Sequence, residues 1–94
     1  MVGTRDNRKE AETLALRALT FVVGNDRLRP RLLDLTGLDA ATLRGRVGDP
    51  QLLAATLAFL EQHEPDLMAC AAALEVAPRD ISEARLTIEG ASAE

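Results

Sequence analysis

The chain has no Tyr, no Trp, two Phe, one Cys (Cys70), one His (His63) and two Ser (Ser82 and Ser92). These shortages close most routes to side-chain catalysis, because nucleophile–base pairs, zinc cages and acid–base dyads draw mainly on the types that are scarce here. A single Cys cannot form an internal disulfide, and Met1 to Arg8 hold no apolar signal segment. The expectation is a cytoplasmic protein without a cofactor or a resident metal. The longest apolar stretch, Leu52 to Leu60, includes Thr56 and falls well short of the roughly 20 residues that a membrane-spanning helix needs. No membrane role is expected.

What is present points to helices. The 94 residues fit one domain at the small end of the usual range, and Leu and Ala supply 16 residues each, while β-branched and aromatic residues are sparse. The net charge of −4 hides an asymmetry between the two halves of the chain. Residues 1–48 carry nine Lys/Arg against six Asp/Glu, and residues 49–94 carry two Arg against nine acids. Such a split suits a surface that meets a charged partner, and it equally suits an ordinary solvated surface.

Start and stop signals divide the chain into six short helices. The first spans about Lys9 to Val23, with Leu14, Ala15, Ala18, Phe21 and Val22 on one face, and Gly24 ends it. Asp26 is read as the cap of a second helix running to Thr36, with Gly37 as its stop, and Asp39 as the cap of a short third helix that Gly45 and Gly48 weaken. Asp49-Pro50 opens a fourth helix to about Gln62 that is apolar nearly all round, which marks it as the centre of the domain. Glu64-Pro65-Asp66 restarts the chain into a fifth helix over Leu67 to Glu75. Ala77-Pro78 opens a sixth, with Ile81, Ala84, Arg85 and Ile88 in helical register and Gly90 as its end. Leu35-Thr36-Gly37-Leu38 followed by Leu43 resembles Ala73-Leu74-Glu75-Val76 followed by Ile81, at an offset of 38 residues.

That repeated turn has the pattern of a helix-turn-helix corner. If the first copy bound DNA, Arg44 and Arg46 on its second helix, with Arg27, Arg29 and Arg31 nearby, would supply phosphate contacts. The second copy carries Asp80 and Glu83 where phosphates would repel them, and a sequence pI near 4.9 opposes a basic footprint. Plain corner packing is therefore favoured over nucleic-acid binding. His63 lies beside Glu61, Glu64 and Asp66, types able to bind a divalent metal, but the spacing suits helix-dipole pairing better. Cys70, between Leu67 and Leu74 and among alanines, reads as a small buried hydrophobe rather than a nucleophile.

Taken in order, Ala11 to Leu19, Leu35-Thr36-Gly37-Leu38, Leu43-Arg44, Asp49-Pro50-Gln51-Leu52-Leu53, Leu57-Ala58-Phe59-Leu60 and Pro78 through Ala84-Arg85 resemble a family of small alphaproteobacterial proteins classed as a domain of unknown function. The likeness spans about residues 10–88 and implies a compact helical bacterial protein, with no activity or catalytic residue to carry over. His63-Glu64-Pro65-Asp66 departs from that family's pattern, which has an acidic pair without proline there.

The fold expected is an all-α, compact orthogonal bundle of five to six short helices with helix-turn-helix-like corners. Residues 9–90 form the single domain, between a flexible N-terminus (1–8) and a flexible C-terminus (91–94). Its expected core comprises Leu14, Ala18, Val22, Leu32, Leu35, Leu38, Leu43, Leu53, Leu57, Leu60, Leu67, Cys70, Leu74, Ile81 and Ala84. For function, 47% hydrophobic residues in so small a chain, with the charge split, favour a non-enzymatic module that binds a protein partner or itself. The alternative is a small DNA-binding regulator using the Asp26–Val47 corner.

Overall fold

Local capping signals place most of the helix boundaries. The computed structural model describes residues 4–92. Along them run α1 (Thr4–Val23), α2 (Leu28–Thr36), α3 (Ala40–Gly45), α4 (Pro50–Glu61), α5 (Glu64–Leu74) and α6 (Pro78–Ser92), with no strand among the described residues. The fold is all-α, as the composition demands. Asp39 caps α3 by accepting the Thr42 N–H at 2.7 Å, and Asp49 caps α4 by accepting the Gln51 N–H at 2.9 Å ahead of Pro50.

Four boundaries differ from expectation. The α1 helix begins at Thr4 rather than near Lys9. The cap of α2 is Asn25, not Asp26: the Asn25 Oδ1 accepts the N–H groups of Arg27 and Leu28 at 2.9 and 3.0 Å. The last turn of α1 continues through Gly24 and Asn25, whose N–H groups bond Thr20 and Val22, so the chain leaves that helix at Asn25 and puts this side chain beside the next helix's free donors. The α5 helix starts at Glu64, directly after His63, rather than at Leu67. Finally, α6 runs through Gly90 to Ser92, because Gly90 does not adopt the left-handed conformation with which glycine stops a helix. Of the terminal stretches expected to be flexible, residues 1–3 and 93–94 lie outside the described residues.

The apolar helix α4 is central, meeting α1, α2, α5 and α6. Leu57 and Leu60 are fully buried on it, and the buried Thr56 hydroxyl returns its proton to the Leu52 carbonyl at 2.9 Å. The mutual packing of α1, α4 and α6 builds most of the core around Ala15, Ala18, Val22, Ile81 and Ile88. The expected core is corrected at Leu35, which is 56% exposed. It shares an angular face with the buried Leu28 and Leu32, but stands in the last turn of α2, where that face is open to solvent. Leu14, Leu38 and Leu67 are partly buried, while Leu19, Leu28, Leu52, Phe59 and Ile88 join the core. No helix among the described residues is long and apolar enough to cross a membrane.

Candidate functional site

The five arginines singled out from the sequence do not share one surface. Arg27 and Arg31 turn toward Asp66 at the start of α5, at 2.7 and 3.9 Å. Arg29 donates to the Val23 carbonyl at 2.9 Å, capping the end of α1, and meets Asp26 at 3.2 Å. Arg46 pairs with Asp49 at 2.7 Å, so it steadies the α4 cap from the preceding loop. Arg44 alone of the five has no ion pair among the described residues. The helix that carries it, α3, is six residues long and opens with Ala40 and Ala41.

Asp66 is the polar centre of the fold, a role beyond its sequence reading as one of the acids beside His63. Its side chain is buried, yet it accepts from Arg27 Nη2 at 2.7 Å and bonds His63 Nδ1 at 2.7 Å. Burial acts to raise its pKa; the hydrogen bonds from Arg27 and His63, with their charges, outweigh that and hold the carboxyl below the usual carboxylate value. The result is a clasp between α2 and α5. A second long-range tie missed from sequence is Arg17, whose guanidinium reaches from α1 to the Leu74 carbonyl at the end of α5, at 2.9 Å. His63 is local to Asp66, but Arg27 and Arg17 reach 39 and 57 positions along the chain, where no local spacing could signal them.

The acids near His63 separate. Glu61 pairs with Arg85 of α6, while Asp66 is engaged as above, and no three His, Cys, Asp or Glu side chains gather as a metal site among the described residues. Cys70 is fully buried, and burial pushes its thiol pKa up to about 11, so it is held as a neutral thiol.

One concave surface stands apart from these structural ties. Between α1, α2 and α3 lies a groove of about 670 Å³, floored by Leu19, Val23, Leu33 and Leu43 and edged by Leu16 and Val47. Leu16 and Val47 are 42% and 37% exposed, although both are large and apolar. The only charged side chains lining the groove are Arg29 and Arg44. By contrast, a hollow of about 550 Å³ between α1 and α6 balances Lys9 and Arg17 with Glu10 and Asp80. The larger groove lies where α3 ends after six residues and its loop continues through Val47, so that Leu43 is the buried residue of α3. Chemically, it offers an apolar floor with cationic edges and no nucleophile or general base.

A family model described as "Protein of unknown function (DUF3572)" matches residues 8–91. No match exists among the curated proteins or among the solved structures.

Proposed function

The chain belongs to the DUF3572 family, and from that premise we propose that it is a non-enzymatic protein–protein interaction module working through the groove between α1, α2 and α3. The observation that carries this reading is the placement of Leu16 and Val47: two large apolar side chains left half in water on the edges of an apolar concavity. Water contact with such side chains is unfavourable by about 25 cal/mol per Å² of apolar area, so covering the groove is a source of binding free energy. A cytoplasmic setting accords with the single buried thiol of Cys70.

The DNA-binding regulator ranks second. Arg44 favours it, since its charge is not spent on a carboxylate, but the other four arginines are engaged with Asp66, Asp26 and Asp49. The alanines that open α3 also leave few side chains able to reach base edges.

The test is a tagged capture from lysate, with and without nuclease, by the parent and by a Leu16→Asp, Val47→Asp double variant. A stoichiometric protein partner that survives nuclease and is lost from the variant supports the interaction module. Capture that both proteins show equally overturns it, and capture that nuclease abolishes transfers the assignment to nucleic acid.

A further inference from the structure

We infer that the occupant of this groove is an amphipathic helix of a different protein that carries acidic residues beside its apolar stripe. The inference rests on the reading of the groove as an interaction site and adds the chemistry of the partner. An apolar concavity between helices is the form that helix-in-groove recognition uses, in which anchors at i, i+4 and i+7 enter together. Here Leu16 of α1 and Val47 of the loop after α3 stand exposed in one apolar lining with Leu33 and Leu43.

Charge then selects among such helices. The chain carries 15 acidic residues against 11 basic ones, yet none of the acids lines the groove, whereas Arg29 and Arg44 both do. Arg29 already serves the Val23 carbonyl and Asp26, whereas Arg44 is exposed and has no ion pair among the described residues. A carboxylate on the incoming helix would meet Arg44 at the rim, where it steers encounter and excludes basic competitors. A basic helix would meet no acid in the groove's own lining, where Glu12 belongs to the adjoining hollow that shares Leu16 and Val47.

A second copy of the chain fits poorly. Among the described residues, the exposed large apolar side chains outside the groove are Leu35 on α2, Met68 on α5 and Leu86 on α6, one to a helix, so no described helix presents a row of anchors to water. The occupant must bring an apolar stripe that no described helix of this chain offers.

The experiment is selection from a displayed library of short amphipathic helices, with the apolar stripe fixed and the flanking positions random, on the parent, on Arg44→Glu and on Leu16→Asp, Val47→Asp. Arg44 is exposed and outside the core, so its variant folds, which a melt by circular dichroism verifies. The expected result is enrichment of Asp and Glu at the flanks on the parent, and a shift to Lys and Arg on Arg44→Glu. A purified acidic winner should lose about fivefold to tenfold in affinity on that variant, and its binding should weaken with salt. Helices enriched on the parent without acidic bias, and indifferent to Arg44→Glu, overturn the inference but leave the groove as a docking site. No enrichment over the Leu16→Asp, Val47→Asp variant overturns both. Sedimentation of the parent as a dimer that Val47→Asp dissociates would also overturn the inference, because the occupant would then be a second copy.

Discussion

The two corners of this molecule follow one plan and meet different fates. At the first, α2 ends at Thr36, Gly37 turns left-handed with φ 73°, and α3 follows; at the second, α5 ends at Leu74, Glu75 turns left-handed with φ 61°, and α6 follows. The next helix is capped in both, from opposite sides. Asp39 accepts from the N–H of Thr42, whereas Asp80 reaches back to accept the N–H of Ala77 at 2.9 Å, so the two corners use complementary halves of a capping box. Leu43 and Ile81, 38 residues apart, are buried anchors in each.

What separates the corners is the support around them. The second is enclosed: α1, α4 and α5 all pack on α6, Val76 closes the turn through its N–H to the Ala71 carbonyl at 2.9 Å, and Arg17 caps the neighbouring Leu74 carbonyl. The first closes with a single bond from the Gly37 N–H to Leu33 at 2.8 Å, and the Leu38 N–H turns to the Thr36 hydroxyl instead. Surrounding contacts therefore let a non-glycine residue hold the left-handed turn at the second corner. At the first, glycine supplies the turn without help, and the lack of cover leaves the groove open. A repeated local plan can thus give one structural corner and one that is free for recognition.

The sharpest way to break this comparison is to cut the two anchors. Ile81→Ala should destabilise by about 3–4 kcal/mol, because a fully enclosed side chain leaves a cavity that its neighbours cannot collapse. Leu43→Ala should cost about 2 kcal/mol, since the groove beside it is already open to solvent. Urea unfolding of both variants measures the difference. Equal losses would show that α3 is held as firmly as α6 and that the corners are equivalent.

The helices that lead into the corners, α2 and α5, are joined by Asp66. Its ionised form is favoured in the folded state, so its stabilising contribution is present above the unfolded pKa, near the ordinary aspartate value of 3.8, and is lost as pH falls through the lower folded value. At neutral pH, Asp66→Asn should cost about 1–2 kcal/mol, with the half-exposed partners Arg27 and His63 keeping the figure modest. The parent's advantage should shrink when melts are repeated below pH 4. Asp39 and Asp49 are also held low, by the Thr42 N–H and by Arg46 with the Gln51 N–H respectively, but both remain in the variant and cancel from the difference. An advantage that persists unchanged to pH 2 would mean that Asp66 acts by shape rather than charge.

Sequence showed most of the scaffold and little of what ties it. Helix order, the caps Asp39 and Asp49, the centrality of α4 and the burial of Cys70 all follow from local chemistry or from short-range pattern. Leu35 misleads because periodicity gives the face of a helix but not how far its cover extends. The Asp66 clasp and the Arg17 cap each join residues 39 and 57 positions apart, and no local rule reaches that far. The arginines of the first corner were visible as a group, but their separation into two tied to Asp66, one capping α1, one steadying α4 and one at the groove depends on packing.

The finest test exchanges the turn residues themselves. A Cβ at Gly37 would meet nothing within 4 Å, so Gly37→Ala isolates the conformational cost of a left-handed L-residue, about 1 kcal/mol. Glu75→Gly should move the other way by a similar amount. It relieves the same backbone preference at φ 61° and removes an acid from the C-terminus of α5, where the helix dipole disfavours negative charge. In a domain of this size 1 kcal/mol corresponds to a shift of about 4–8 °C in Tm. The two variants should therefore melt on opposite sides of the parent, and the double variant close to it, because the turns share no contact and their effects add. If Glu75→Gly instead lowers Tm, the carboxylate or its methylenes contribute more at the enclosed corner than the strained backbone costs, and glycine is no longer what distinguishes the two turns.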